Sequence, residues 1–397
     1  MSTISLAESL SHAESDRIKT LIIGAGVAGL TLAALMRQRG ESPIIIERSA
    51  HWQSGGYMLG LYPIGSRVLH GLGLYDRYLS RSVTMNHYQV CDGHGSVIQS
   101  YDLKRLTERF GPMQGIERST LMEILTEGVQ DLPIHTDLTV ESLQNEDEKV
   151  AATFSDGTSA NFDLVVGADG LHSETRSMMF NEGEYHYWDS QWGGWVFWAD
   201  SGLVPSDVYT ECWGAGHFVG LYPTQNQIGV FVGGPLDTIN QMGKPDFINY
   251  VKSQFGTSAE SISQVLNTVP DDEDSFFWSF HDCRCHYWRN GRVMLLGDAA
   301  AGFLPTAGVG ASMAMESAAA LSDELSRTNA KRVEQALELY EKRHRHRVEQ
   351  AQKNSRDLAR IMFVESKPVD WLREQLLKFY SVEDLIRSIA RIMEEPI

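Results

Sequence analysis

Three short apolar runs, each ending in a glycine turn, set the pattern of this chain. The first, Thr20-Leu21-Ile22-Ile23, enters Gly24-Ala25-Gly26-Val27-Ala28-Gly29 and then a helical pattern as far as Arg39. Gly40 stands where a helix-ending glycine belongs, and Pro43-Ile44-Ile45-Ile46-Glu47 reads as a second strand. Strand, glycine turn, helix and strand predict a βαβ unit with a parallel sheet. The second run, Phe162-Asp163-Leu164-Val165-Val166, enters Gly167-Ala168-Asp169-Gly170. The third, Arg292-Val293-Met294-Leu295-Leu296, enters Gly297-Asp298-Ala299-Ala300.

Between the second and third runs the texture changes. Residues 181–282 hold most of the tryptophans, in aromatic and β-branched runs such as Trp195-Val196-Phe197-Trp198 and Gln227-Ile228-Gly229-Val230-Phe231-Val232. Pro223 and Gly233-Gly234 punctuate them, which predicts an inserted antiparallel sheet. Tyr88-Gln89-Val90 and Val97-Ile98-Gln99-Ser100 predict a hairpin joined to it. From Gly310 onward the pattern is helical, with Pro368 as the main interruption, and residues 1–18 read as a loose polar tail. The expected fold class is α/β. A Rossmann-like nucleotide-binding domain takes residues 18–85, 110–180 and 283–340. A mainly antiparallel substrate domain takes 86–109 and 181–282, and a helical region takes 341–397.

Composition narrows the partners. With 34 Lys+Arg against 52 Asp+Glu the formal charge is −18, which disfavours nucleic acid and anionic membrane surfaces. No stretch approaches the roughly 18 apolar residues of a membrane span, and the N-terminus has no signal-peptide pattern. Cys91, Cys212, Cys283 and Cys285 make neither a disulfide framework nor a CxxC zinc pair, and Cys283 and Cys285 read as plain strand residues. The scattered histidines lack metal-ligand spacing. The expectation is a cytoplasmic, reduced protein, monomeric or homodimeric, with a small-molecule partner.

Gly24, Gly26 and Gly29 form GxGxxG between a strand and a helix. The first permits the tight turn, the second lets a pyrophosphate reach the backbone, and the third lets helix and strand pack closely. Glu47 closes the next strand eighteen residues after Gly29, placed to accept hydrogen bonds from a ribose. The combination predicts a bound dinucleotide. In Pro305-Thr306-Ala307-Gly308-Val309-Gly310-Ala311 the glycines leave a flat wall for a planar ring. The helix starting near Gly310 aims its N-terminus at that wall, where it stabilises negative charge by roughly 0.3–1 kcal/mol per exposed interaction.

The glycine turn, Gly-Ala-Asp-Gly and Gly-Asp-Ala-Ala in this order resemble the fingerprints of the class A flavoprotein monooxygenases, typified by para-hydroxybenzoate hydroxylase. The resemblance covers about residues 18–350. It implies FAD as cofactor, NADPH or NADH and O2 as co-substrates, and oxygen delivery to an aromatic or polycyclic molecule through a flavin hydroperoxide. It also implies that Glu47 and Arg48 bind at the adenosine ribose and that Val140 pairs its backbone with adenine. Arg118 is implied at the ribityl–pyrophosphate segment, Asp298 at a ribityl hydroxyl, and Asp169 in a motif for both FAD and NADPH. Val27, Ala28, Pro305, Gly308, Gly310 and Ala311 complete the implied FAD site. Ala301, Met313 and Glu316 depart from the family's frequent His, Asn and Asp. No second GxGxxG follows a strand, so NADPH is expected to dock transiently on the FAD domain.

Residues Gly55 to Gly60, and Asp163 through Arg176, are similar to the tetracycline-inactivating branch, which widens the expected substrates to polycyclic phenols. Trp192-Gly193-Gly194-Trp195 lacks the spacing of the flavin halogenases. Arg343-His344-Arg345-His346-Arg347 reads as the face of a charged helix, and Trp371, Leu372, Leu376, Leu377 and Phe379 as an amphipathic packing face. Trp192, Trp213, His217 and Tyr222 are the substrate-side candidates, with His217 or Tyr222 as a base toward a phenol. The competing readings are an FAD enzyme that oxidises without inserting oxygen, and a flavin-binding ligand sensor.

Overall fold

The computed structural model describes residues 4–53, 56–256, 259–269 and 275–380. Its centre is a six-stranded sheet ordered Arg289–Asn290, Val293–Leu295, Leu164–Gly167, Thr20–Ile23, Ile44–Ile46 and Ile134–His135. All neighbours are parallel except the Arg289–Asn290 edge. The three apolar runs therefore lie side by side, and their glycine turns emerge at one end of the sheet. That end is where ligands bind in open parallel sheets.

The first helix runs Val27–Gln38, as the pattern predicts. Phe162 falls differently. It ends the antiparallel strand Ser159–Phe162, and the parallel strand begins at Leu164. Asp163 makes the corner, its carboxylate accepting from the Lys19 amide at 2.8 Å.

The second large sheet has eight strands, ordered Ala301–Gly302, Phe276–Cys285, Tyr185–Asp200, Gln227–Pro235, His217–Pro223, Val208–Gly214, His87–Asp92 and Val97–Asp102. The hairpin at its edge attaches through a parallel pairing of His87–Asp92 with Val208–Gly214. Strand alternation gives this sheet two faces. Trp195, Phe197, Cys212, Val219 and Leu221 pack on one side against Ile239, Phe247, Val251 and Ile262 of three helices. Trp192, Val196, Tyr209, Trp213, Phe218, Phe231 and Phe280 face the nucleotide-binding half and join its core.

One expectation is corrected. Residues within the expected N-terminal tail form a helix, Leu6–Ala13, closed by a capping box in which the Glu8 amide donates to Ser5 Oγ and the Ser5 amide to Glu8. Glu8, an acidic residue of that stretch, is a capping group. The helical run breaks between Met362 and Lys367 as expected, and Pro368 sits in the first turn of the new helix Lys367–Leu377, where its missing N–H costs nothing. The boundary expected at 340/341 falls inside the helix Val333–Met362, and residues 381–397 of the expected helical region lie outside the described residues.

Candidate active site

The glycine turn is fixed by backbone contacts. Gly24 has φ +102°, and a Cβ there would stand 2.6 Å from the Ala168 carbonyl oxygen. A Cβ on Gly29 would stand 2.0 Å from the Gly24 carbonyl oxygen. Gly26 differs: its nearest protein neighbour would be 4.0 Å away, so nothing in the protein fills the space beside it. Gly26 also caps the helix opened by Val27 and Ala28 without any side-chain hydrogen bond, leaving its first amides available. Glu47 reaches back to this turn, its Oε2 accepting from the Ala25 amide at 3.0 Å and its Oε1 from Ser49 at 3.0 Å.

The other two glycine turns complete a cleft around it. Asp298 is surrounded by protein deeply enough that burial pushes its carboxyl up to about 6. Its surface nonetheless stays exposed, so it lines a cleft instead of the core. Tyr57 lies within electrostatic reach of both Asp298 and Arg118, and burial with the Asp298 charge raises its hydroxyl pKa. Arg118 opens the helix Arg118–Glu127, donates its amide to the Tyr57 carbonyl at 2.9 Å, and makes no ion pair among the described residues. Gly308 adopts the left-handed region at φ +61° after the turn Pro305–Ala307, and the helix Gly310–Ser326, with Ala311 in its first turn, again lacks a side-chain cap.

These features fit FAD. Two uncapped helix N-termini, an empty space beside Gly26, an unpaired arginine and a cleft-lining carboxylate are the donors and acceptor a pyrophosphate and ribityl chain require. Arg48 is exposed, 3.4 Å from Glu174, and Val140 is buried two residues past Leu138, whose amide bonds the Glu47 carbonyl. Asp169 is occupied internally: Ser173 Oγ donates to it at 2.6 Å and the Thr175 amide at 2.9 Å. It builds the turn instead of leaving oxygens free. Arg176, which sequence reasoning passed over, is fully buried and donates to the Leu171 carbonyl at 2.6 Å and the Ala299 carbonyl at 2.9 Å. It ties the second glycine turn to the third.

The substrate-side candidates separate by strand parity. Trp192 stacks on Phe363 at 4.7 Å, and Trp213 and Tyr222 also lie on the face toward the nucleotide-binding half. His217 does not. It points to the helical side, where its Nε2 lies 2.8 Å from the Gly93 carbonyl and Tyr250 and Phe255 pack against it. It is five positions from Tyr222 on one strand, and an odd offset puts it on the opposite face. Tyr222 stays on the face toward the nucleotide-binding half, where burial and the neighbouring Glu211 carboxylate push its hydroxyl pKa well up.

Sequence reasoning missed the group at the centre of this face. Glu211, 8% exposed, accepts from Tyr88 Oη at 2.6 Å, Trp213 Nε1 at 3.0 Å and Tyr222 Oη at 2.9 Å. Tyr62 connects it to the flavin side. Its hydroxyl donates to the Ala307 carbonyl at 3.0 Å, its ring lies near Gly308, and Glu211 is close enough to raise its hydroxyl pKa.

A family model described as an FAD binding domain matches residues 17–355. The chain belongs to that family, and it is an FAD-dependent monooxygenase. It is 29% identical over 377 residues to 3-amino-4-hydroxybenzoate 2-monooxygenase of Streptomyces cremeus, covering 91% of this chain and 92% of the relative. Among solved structures, Klebsiella pneumoniae HpxO complexed with FAD and uric acid has the same fold, with a TM-score of 0.83 at 23% identity and coverage of 95% and 96%. The tetracycline destructase Tet(51) aligns with a TM-score of 0.69 at 25% identity, covering 96% of this chain and 99% of that one.

Proposed function

We propose that this chain hydroxylates an aromatic, phenolic or polycyclic small molecule held between the flavin cleft and the aromatic face of the eight-stranded sheet. The observation that carries this reading is the opposition of those two surfaces. The cleft side presents Asp298, Tyr57, Arg118 and the Pro305–Gly308 turn. The sheet side presents Trp213, Tyr222 and Tyr88 around Glu211, with Trp192 further along the same face. Tyr57 bridges the two, its ring 4.5 Å from Trp278.

Gly24, Gly26, Val27, Ala28 and Gly29 would hold the FAD pyrophosphate with Arg118. Glu47, Arg48 and Val140 would meet the adenosine end, Asp298 the ribityl chain, and Pro305, Gly308, Gly310 and Ala311 the ring. Asp169 acts through the turn it builds. When bound, the flavin supplies electron transfer from NAD(P)H and the activation of O2. The chain's own task is to orient the substrate and keep water out, which packed tryptophan and tyrosine rings do well.

A screen of phenols and polycyclic phenols for stimulated NADPH oxidation, with peroxide measured alongside, tests the reading. At least one such compound is expected to raise NADPH consumption while peroxide stays below the NADPH consumed. Consumption matched mole for mole by peroxide with every compound would contradict hydroxylation.

A further inference from the structure

Glu211 is a carboxylate without a countercharge. It is nearly buried, and no lysine, arginine or histidine among the described residues forms an ion pair with it. Its three hydrogen-bond donors are all neutral: two tyrosine hydroxyls and an indole N–H. The guanidinium of Arg373, over the Trp213 ring at 5.7 Å, is already paired with Asp370. Removing a carboxylate from water without a cation is costly, and burial here raises its pKa.

The arrangement of donors leaves one place open. An ionised carboxylate offers about four acceptor sites. Oε2 takes Tyr88 and Trp213, whereas Oε1 takes Tyr222 alone. The remaining Oε1 site belongs to a side chain on the face where the proposed substrate lies. Around it stand Tyr62, Tyr88, Tyr209 and Tyr222, which supply ring surface and no positive charge.

We propose that Glu211 is the specificity-determining residue, selecting aromatic substrates that present an ammonium, amine or hydroxyl donor and rejecting aryl carboxylates. This rests on the proposed placement of the substrate against that face. A donor from the substrate fills the fourth acceptor site, and an ammonium also supplies the missing countercharge. A substrate carboxylate placed there meets like charge with nothing to offset it.

The test uses the FAD-loaded full chain and three matched two-ring phenols: 6-aminomethyl-2-naphthol, 6-methyl-2-naphthol and 6-hydroxy-2-naphthoate. Dissociation constants are read from the change in flavin absorbance on titration, without turnover. The expected order is ammonium tightest, methyl intermediate and carboxylate weakest, with about a hundredfold between the extremes. In Glu211→Gln, checked for unchanged FAD content, that ratio should collapse to within about threefold. Tightest binding of the naphthoate, no binding of any probe, or an unchanged ratio in Glu211→Gln would each overturn the proposal. The order in the parent protein decides the matter even if the variant does not fold. NADPH consumption with the same probes separates the two claims. The expected ranking with no stimulated consumption speaks against hydroxylation and leaves Glu211's role standing, and coupled consumption led by the naphthoate does the reverse.

Discussion

Gly26 and Gly29 lie three positions apart on one turn, yet their surroundings give them opposite tasks. Gly29 is required by the protein itself, because a Cβ would press on the Gly24 carbonyl at 2.0 Å. Gly29→Ala should cost about 1–3 kcal/mol or more, measured by urea unfolding of the FAD-free protein. Gly26 has no such neighbour, a Cβ there standing 4.0 Å from the Ala168 carbonyl oxygen, and on the proposed function its space is kept for the pyrophosphate. Gly26→Ala should leave FAD-free stability within about 1 kcal/mol while FAD affinity, measured by fluorescence titration, falls at least about tenfold. Equal FAD affinity in Gly26→Ala and the parent would remove the pyrophosphate from this turn. Asp298 gives a pH dependence of definite sign. Its folded pKa is raised from 3.8 to about 6, so its stabilising contribution is complete below pH 3.8 and is lost as pH rises through about 6. Asp298→Asn should abolish that loss in unfolding curves of the FAD-free protein between pH 4 and 7.

These glycines and Asp298 were legible in the sequence because the chemistry of a phosphate turn is local. Glu211 was not. Its partners Tyr88 and Tyr222 come from other strands, and only the register Tyr209↔Tyr88 and Thr210↔Leu221 brings them to it. Arg176 was hidden for the same reason, since its carbonyl partner Ala299 belongs to another glycine turn.

At the scale of elements, the βαβ pattern was readable because apolar strands and glycine stops recur in order. The register of the aromatic sheet was not. The strand Tyr185–Asp200 slips register against Phe276–Cys285 between Asp189 and Gly193, where Gln191 takes φ +60°. Trp192, just past this bulge, pairs regularly with Pro235 and takes its face by alternation from Val196, whereas no hydrophobic pattern announces the bulge itself. The basic run on Val333–Met362 resolves into ion pairs, those of Arg343 and Arg347 to the helix Gly310–Ser326 and those of Arg345 along its own helix. Arg343 bonds Asp323 at 2.5 Å and Glu324 at 2.7 Å, and Arg345 bonds Glu341 and Glu349 at 2.8 Å each. Arg347 meets the fully buried Glu316 at 2.6 Å, and Arg67 meets it from another helix at 2.7 Å. The Glu316 departure from the family pattern is thus accommodated by a two-arginine clamp. Arg347→Met should cost about 3 kcal/mol in unfolding free energy, because it strips one partner from a buried carboxylate.

His344 beside this clamp carries a second pH dependence, opposite in direction to that of Asp298. Burial, and then the charges of Arg347 and Arg343, push its pKa down to about 3. The neutral ring is stabilising above pH 6.5, and that contribution is lost as pH falls toward 3. His344→Gln should therefore soften acid unfolding between pH 6 and 4, as followed by circular dichroism.

The whole molecule reconciles a charge of −18 with a cofactor that is itself anionic. Pyrophosphate recognition would be local, by two helix N-termini and Arg118, whereas Arg343 and Arg347 of the long C-terminal helix are spent on carboxylates of the helix Gly310–Ser326. No helix of the described residues is long and apolar enough to cross a membrane. The two large sheets divide the labour: one ends in glycine turns that fit the cofactor, and the other turns its aromatic face toward them. Oxygen insertion is the consequence that this opposition of surfaces predicts. Mass spectrometry of the product formed with NADPH under isotopically labelled O2, on a phenol that stimulates NADPH oxidation, tests it most directly. One labelled oxygen atom in the product is the expected result. An oxidised product free of label, with peroxide accumulating in step, would contradict it.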